Sequence, residues 1–314
     1  MITGKPGIGK SDLTDASRIE AGADMHIFHP VVSDPTDFKG LPYAGNGGEA
    51  CFLPFSDLNR LINATSPLVA FFDDLGQAPA SVQAACMQLF LSRKLNGFQI
   101  SDHVTFLAAT NRKQDKAGVT GILEPVKSRF VSIVELEVST DDWVRWAITK
   151  GNMPVELISF IRFRPELLDN FQPTRDITNS PSPRTVANVG KMERANLPAE
   201  LRREAVKGAA GEAFATEYLA FLDIFKELPN IDRILLNPDK EKVPSEPAAL
   251  FAVSGALAGK VNEVNADNAF RYINRMPVEN ATACVKDMTI RKPEIANTKP
   301  FALWAADNGN EIFN

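Results

Sequence analysis

Residues 4–11 read Gly-Lys-Pro-Gly-Ile-Gly-Lys-Ser and fit the pattern G-x-x-x-x-G-K-[ST] at every position. This pattern constrains the fold because it suits a strand, a glycine-rich turn and a helix in succession. Glycines at 4, 7 and 9 let backbone N–H groups approach phosphate oxygens, and the following helix directs its positive end at them. The pattern predicts a phosphate-binding loop, and the alternative is a plain glycine-rich turn before a helix.

Within this loop, Lys10 is expected to reach the β- and γ-phosphates of ATP, and Ser11 is expected to ligate Mg²⁺. Such a loop normally follows a buried strand, yet only Met1-Ile2-Thr3 precedes it. Either that first strand is abbreviated or the natural start lies upstream. Nucleotide contacts are predicted for Gly4, Lys5, Pro6, Gly7, Ile8, Gly9, Lys10, Ser11 and Asp12.

Two carboxylates, Asp73 and Asp74, follow the apolar run 68–72. Such a run is typical of a central strand, and open α/β sheets bind ligands at the carboxyl ends of their strands. We expect Asp73 to hold Mg²⁺ through water and Asp74 to orient or deprotonate an attacking water. The alternative is a strand that ends in a solvated acidic turn.

The next apolar run, 104–109, ends in Thr110-Asn111, and Asn111 is a candidate to bind the same water or the γ-phosphate. Alone, an Asn after a strand is more often a turn former. Arg129 precedes the last predicted strand and is a candidate to neutralise charge on the γ-phosphate. Because it lies at the far end of the sheet, it would have to act on a neighbouring subunit. The alternative for Arg129 is a surface residue that caps a helix.

The order of apolar runs predicts an α/β fold. Short runs at 24–28, 68–72, 104–109 and 131–138 read as strands, and a helical pattern over 80–91 separates the second from the third. Strands that alternate with helices indicate a parallel sheet. After residue 138 the pattern is almost wholly helical, including a predicted helical stretch over 197–228. Two segments, about 29–53 and 93–101, interrupt the rhythm and predict hairpins.

Composition excludes several classes of protein. The 314 residues are 44% hydrophobic and 23% charged, which excludes a disordered chain or a fibrous repeat. A net charge of −5 gives no global positive field, so binding to nucleic acid is disfavoured. Three scattered cysteines and the lack of a membrane span or export signal predict a cytoplasmic protein. The three histidines have no accompanying ligand pattern, so a zinc site is disfavoured.

Taken together, these motifs resemble the AAA+ ATPases, and within them the MoxR type. The resemblance rests on the order and spacing of several short segments. They are Gly4 to Ser11, Phe72-Asp73-Asp74 with Gln77, Ala78 and Val82-Gln83 following, the hairpin around 93–100, Ala108 to Asn111, Ser128-Arg129-Phe130, the insertion Asp34 to Pro42, and Ser182-Pro183-Arg184-Thr185.

The resemblance implies a P-loop NTPase αβα core with a parallel sheet over residues 1–138. An all-helical lid and C-terminal helices over 139–314 would follow. It also implies a ring, usually of six subunits, with ATP and Mg²⁺ at each interface. In that scheme Lys10 and Ser11 are the Walker A pair, and Asp73 and Asp74 are the Walker B pair. Asn111 would be sensor 1, Arg129 the finger that acts in trans, and Arg184 sensor 2 from the lid.

Asp74 departs from the family pattern, which usually has Glu. Asp is one methylene shorter and would hold the attacking water less closely, so slow turnover is expected. MoxR-type proteins resemble remodelling chaperones that act with a partner bearing a von Willebrand factor A domain. Phe38, Leu41 and Tyr43 of the insertion are candidates for exposed partner contacts, and the alternative is that they pack onto their own domain.

Three functions stay open at this point. The chain is either an ATP-hydrolysing remodelling ATPase or a nucleotide-dependent assembly scaffold with little hydrolysis, which Asp74 favours. A DNA-acting AAA+ motor is the third possibility, which the net charge disfavours.

Overall fold

The computed structural model describes residues 1–45, 47–115, 118, 121–174, 176–195 and 197–312. These residues form two compact units, Met1–Glu137 and Val138–Asn314. The strands are β1 Ile2–Gly4, β2 Asp24–Phe28, β3 Leu41–Ala44, β4 Ala50–Leu53, β5 Leu68–Phe72, β6 Lys94–Leu95, β7 Phe98–Gln99, β8 Val104–Asn111 and β9 Val134–Glu135.

The central sheet of the first unit is parallel, with strand order β2-β5-β8-β1-β9 among the described residues. Helices flank it, namely α1 Lys10–Glu20, α2 Ser56–Ile62, α3 Ala80–Ser92 and α4 Glu124–Lys127. The predicted parallel α/β sheet is therefore confirmed. All five residues of β5 are buried, because this strand lies between β2 and β8 and is covered on both faces.

Aromatic side chains fill the core on one face of this sheet. The Phe72 ring, which is fully buried, stacks on the Phe28 ring with their centroids 4.8 Å apart and meets the Phe90 ring edge-on at the same distance. Burial of one such side chain stabilises a fold by about 1.5–3 kcal/mol. Phe38 also packs here, 1% exposed, with its ring 5.9 Å from that of Phe28. Of the two possibilities predicted for Phe38, packing onto its own domain is therefore the one observed.

Two antiparallel hairpins lie apart from the central sheet. Strands β3 and β4 pair from Leu41 opposite Leu53 to Ala44 opposite Ala50. Strands β6 and β7 pair around the turn at Asn96 and Gly97, both of which have positive φ. Asn46, which lies between β3 and β4 in the sequence, is outside the described residues.

The second unit is helical in its described residues, as predicted. Its helices are α5 Thr140–Thr149, α6 Val155–Phe163, α7 Pro183–Arg194, α8 Ala199–Ala210, α9 Glu212–Lys226, α10 Ile231–Leu236, α11 Pro247–Lys260, α12 Ala266–Ile273, α13 Val278–Arg291 and α14 Lys299–Ile312. The predicted stretch over 197–228 is broken at Gly211, whose φ of 92° ends α8. A Cβ at Gly211 would lie 2.8 Å from the carbonyl oxygen of Asn179, so this position favours glycine.

Candidate functional site

The phosphate-loop pattern occupies the turn between β1 and α1. Gly7 and Gly9 have φ values of 76° and 95°, which are left-handed conformations that glycine adopts at little cost. Gly9 is the N-cap of α1, and no side chain caps the helix there. Backbone N–H groups at this helix end are therefore available to an anion, and the helix dipole favours one.

Lys10 begins α1 and is 7% exposed. Its ammonium Nζ donates to the carbonyl oxygens of Gly4 at 3.1 Å and Lys5 at 2.9 Å, and to Asn111 Oδ1 at 2.6 Å. A buried charge is stable only when it is well hydrogen-bonded, which these neutral oxygens achieve. Because none of these three acceptors carries a charge, an anionic ligand can compete for the ammonium.

Ser11 and Asp73 meet directly. The Ser11 hydroxyl Oγ donates to Asp73 Oδ2 at 2.7 Å. Asp73 follows β5, and its backbone N–H donates to the Phe28 carbonyl, which continues the β2–β5 ladder. The hydroxyl and carboxylate oxygens are hard donors of the kind Mg²⁺ prefers, so this pair fits a magnesium ion that also binds substrate phosphates and water.

Asp74 has a left-handed backbone, with φ 55° and ψ 34°. Its Oδ1 accepts a hydrogen bond from Gln77 Nε2 at 2.8 Å and a longer one from Asn111 Nδ2 at 3.4 Å. The Asn111 amide thus bridges the Lys10 ammonium on one side and the Asp74 carboxylate on the other.

The parallel sheet explains why these residues meet. Strand β8 lies between β1 and β5, and Asn111 at its end is the register partner of Gly4. The carboxyl ends of all three strands open on the same edge, so the loop after β1, the acids after β5 and the amide ending β8 converge. The sheet edge formed by Lys10, Ser11, Asp73, Asp74 and Asn111 is called the polar edge below.

The other predicted site residues lie in the phosphate loop and α1, beyond the end of α4, and in the second unit. Lys5, Pro6 and Ile8 are half-buried in the loop, and Asp12 is exposed in the first turn of α1. Arg129 is exposed beyond the end of α4, where its Nη1 lies 3.5 Å from the Ser128 hydroxyl, and no contact with the polar edge occurs among the described residues. Arg184 is exposed in the first turn of α7 in the second unit.

Gln77 is a site residue to which the sequence analysis gives no role. It ends a single 3₁₀ turn, Leu75–Gln77, that directly follows Asp74. The available signal was an amide placed three residues after an acid at a strand end. Only the left-handed backbone at Asp74, which a sequence pattern does not specify, brings the two side chains together.

The two hairpins border a cleft of about 370 Å³. Leu41 and Tyr43 on β3 are 54% and 48% exposed, which agrees with the first of the two possibilities predicted for them. The Asn96 amide donates to the Lys39 carbonyl and so ties the second hairpin to the insertion. The cleft is lined by Tyr43, Ala50, Cys51, Phe52, Asn96 and Phe98.

Two features are absent from the described part of the chain. It contains no cluster of three or more His, Cys, Asp or Glu side chains arranged to hold a metal ion. None of its helices combines the length and apolar character that crossing a membrane requires.

No protein-family model and no curated protein sequence matches this chain. Among similar solved structures, the RuvB Holliday junction branch migration motor of Thermotoga maritima is 18% identical, with 82% of this chain and 72% of that chain covered and a TM-score of 0.38. A mutant of the same RuvB is 17% identical, with 82% and 74% covered and a TM-score of 0.42. NtrX from Brucella abortus is 13% identical, with 99% and 63% covered and a TM-score of 0.37. At these TM-scores the likenesses carry no argument about the chemistry of this chain.

Proposed function

We propose that this chain is a P-loop ATPase that binds ATP with Mg²⁺ at residues 4–11 and hydrolyses the γ-phosphate. The observation that carries the proposal is the polar edge, where Lys10 bonds to Asn111 and Ser11 bonds to Asp73 at the ends of adjacent strands. A plain glycine turn gives no reason for a buried lysine beside an uncapped helix end to reach the amide at the end of a neighbouring strand.

Each residue then has a chemical task. Lys10 and the loop N–H groups bind the phosphates, and Ser11 and Asp73 hold Mg²⁺. The metal, when bound, neutralises charge on the phosphate oxygens. Asp74 accepts a proton from water or orients it, and Asn111 contacts the γ-phosphate or that water.

The finer proposal is an AAA+ ATPase of the MoxR type that assembles into a ring, usually of six subunits. In this assembly Arg129 acts on the nucleotide of the neighbouring subunit, and Arg184 acts from the helical lid. The resemblance of the motifs supports these assignments, and the exposure of both arginines is compatible with them. An arginine acting in trans is worth about 10³–10⁵ in rate where it has been measured.

We further propose that the ring remodels a client together with a von Willebrand factor A domain partner. The exposed Leu41 and Tyr43 and the cleft between the hairpins are a surface for such a contact. Solitary exposed apolar residues are common, but Tyr43 lines the cleft together with the exposed Phe52 and Phe98. Leu41 pairs with Leu53, which is also exposed.

A second candidate is a nucleotide-dependent scaffold that binds ATP and barely hydrolyses it. The observation that favours it is the short Asp74 side chain, one oxygen of which already accepts hydrogen bonds from Gln77 and Asn111. The two candidates differ in turnover and agree on binding.

The test is to measure MgATP affinity and steady-state hydrolysis for wild type, Lys10→Ala and Lys226→Ala. Lys226 is an exposed lysine on α9, paired with Asp223, and serves as the matched control. We expect Lys10→Ala to lose about 10²-fold or more of turnover and Lys226→Ala to match wild type. Absence of MgATP binding to wild type would overturn the proposal, and binding without turnover would favour the scaffold.

Two measurements test the finer proposal. Arg129→Ala is expected to keep nucleotide affinity and to lose hydrolysis in assembled rings, and full activity in that variant would mean that the finger is assigned wrongly. Stimulation of hydrolysis by DNA would favour the DNA-acting motor over the chaperone.

A further inference from the structure

Two glutamines follow the acid pair, and they use their amides differently. Gln83 is 1% exposed, and its Nε2 donates to the carbonyls of Ala78 and Gly121 while its Oε1 accepts from the Leu123 N–H. Both ends of that amide are satisfied within the protein. Gln77 donates from Nε2 to Asp74, but its Oε1 is buried and accepts no hydrogen bond among the described residues.

The orientation of the Gln77 amide is fixed by its partner. A carboxylate is an acceptor only, so the NH₂ end must face Asp74 Oδ1, and reversing the amide would bring two oxygens together. The Gln77 backbone N–H also donates to the Asp74 carbonyl at 2.9 Å, which holds the two residues in one tight turn. The acceptor Oε1 is therefore directed away from Oδ1 by the same bond that holds the carboxylate.

Leaving a buried acceptor without a partner costs about 1–3 kcal/mol. In a polar edge built around a phosphate loop, a water molecule is the small donor that would remove this cost. Asp74 Oδ2 likewise accepts no hydrogen bond from the residues that the structure describes, because both amides bond to Oδ1. The pair thus offers two acceptors of different type, one anionic and one neutral.

We propose that Gln77 is a water-positioning residue that works with Asp74 as one unit, an inference that rests on the proposed ATPase activity. Gln77 Nε2 holds the carboxylate, and Gln77 Oε1 accepts one hydrogen bond from the attacking water. The longer glutamine side chain supplies the reach that Asp74 lacks relative to glutamate. The short acid is then compatible with hydrolysis, which separates this inference from the scaffold alternative.

The chemical step balances with water as the sole co-reactant. The water oxygen forms a bond to the γ-phosphorus, and the bond from that phosphorus to the β,γ-bridging oxygen breaks with its electron pair leaving on ADP. One water proton passes to the Asp74 carboxylate and then to solvent. The other proton stays on the inorganic phosphate.

The first test compares wild type with Gln77→Leu, which keeps the side-chain bulk and removes the amide. We expect kcat to fall by roughly tenfold or more, with MgATP affinity changed less than about twofold, because Gln77 acts on the water and not on the phosphate loop. Gln83→Leu is the matched control. It loses three structural hydrogen bonds, so the free energy of unfolding falls while the kcat of the folded fraction changes less than in Gln77→Leu.

The second test uses Gln77→Glu and the pH dependence of kcat. A protonated Glu donates to Asp74 as the amide does, whereas an ionised Glu repels it, so this variant is expected to lose activity as pH rises and the introduced carboxyl ionises. A merely structural role for Gln77 would not create this loss of activity with rising pH. Wild-type kcat in Gln77→Leu, or a wild-type pH profile in Gln77→Glu, would overturn the inference. If wild type itself binds MgATP without turnover, both this inference and hydrolysis fall, while nucleotide binding stands.

Discussion

The polar edge of the first unit and the core of the helical unit both keep charges from water, but they satisfy them by different means. At the polar edge, the neutral Asn111 amide lies between the Lys10 ammonium and the Asp74 carboxylate. In the helical unit, Arg162 Nη2 binds Asp287 Oδ1 directly at 2.7 Å, with side chains 11% and 5% exposed. Neutral bridges can exchange partners without separating charge, whereas a direct buried pair cannot. The polar edge is therefore the region of the two that is suited to receive a ligand.

The Arg162 pair is structural by the same reasoning. It joins α6 to α13, and Arg162 also pairs with Asp141 on α5. Burial raises the pKa of the Asp287 carboxyl, and the charge of Arg162 opposes that rise. Removing either partner would leave an unpaired charge in the core. Substitutions in this region should therefore lower the free energy of unfolding and leave nucleotide affinity unchanged.

The largest expected effect comes from breaking that pair. Asp287→Ala should lower the free energy of unfolding of the helical unit by about 3–5 kcal/mol, because Arg162 would keep a buried charge with one partner removed. All three tryptophans, Trp143, Trp146 and Trp304, lie in this unit, so urea unfolding followed by tryptophan fluorescence reports on it selectively.

The matched control for this change is Asp223→Ala, which removes the acid of an exposed pair with Lys226. Exposed pairs contribute about 0–1 kcal/mol, so the control should stay close to wild type. Equal losses of unfolding free energy in Asp287→Ala and Asp223→Ala would mean that the buried pair stabilises the unit no more than an exposed pair does. The comparison between the two regions would then fail.

A substitution at Gly76 should disturb the polar edge instead. A Cβ at this position would lie 2.2 Å from the Thr110 hydroxyl oxygen, so Gly76→Ala must push the turn after Asp74 away from the end of β8. We expect a loss of about 1–3 kcal/mol in the first unit, measured by amide hydrogen exchange in β5 and β8. The double variant Gly76→Ala with Thr110→Ala should recover part of the loss. No recovery would show that the contact is not the cause.

The sequence was sufficient for elements whose signal is local. Strands β2 and β5 begin and end where the apolar runs predict them, because each run is short and bounded by polar or turn residues. The predicted strand 131–138 is reduced to Val134–Glu135, which pairs only with Ile2 and Thr3. The short strand β1 limits the length of that ladder. Because the length of β9 is set by its partner strand, it cannot be predicted from the sequence of β9 alone.

The candidate site also divides into residues that a local sequence signal predicts and contacts that it does not predict. The phosphate-loop pattern and the acids after a buried strand place Lys10, Ser11 and Asp73 at one edge from sequence alone, although their roles stay predictions. The Asn111 bridge and the Gln77 contact depend on side-chain rotamers and on the left-handed backbone of Asp74. Those features arise from three-dimensional packing, and a one-dimensional pattern does not encode them.

A glycine in the helical unit should respond with the opposite sign to Gly76. Gly208 lies within α8, and a Cβ there would meet no atom within 4 Å. Gly208→Ala should therefore raise the free energy of unfolding by about 0.5–1 kcal/mol, because alanine loses less backbone entropy in a helix. Tryptophan-detected urea unfolding measures it. A loss of stability would indicate that the substitution displaces the hydrogen bond from the Asn179 side-chain amide to the Gly208 carbonyl.

The smallest expected effect is a pH dependence of the first unit that originates at His26. Burial lowers the pKa of this imidazole, which stacks edge-on against Phe28 at a 4.6 Å centroid distance. Asp57 and Asp24 oppose that shift, and Arg60 adds to it. The unfolded chain therefore binds a proton more readily than the native one. The contribution of His26 to the free energy of unfolding should be fully present above the ordinary histidine pKa, near 6.5. It should decline as pH falls through that value. Hydrogen exchange in β2 and β5 at pH 7.5 and 5.5 should show this decline in wild type and a flatter response in His26→Gln, and identical slopes would assign the pH dependence to other groups.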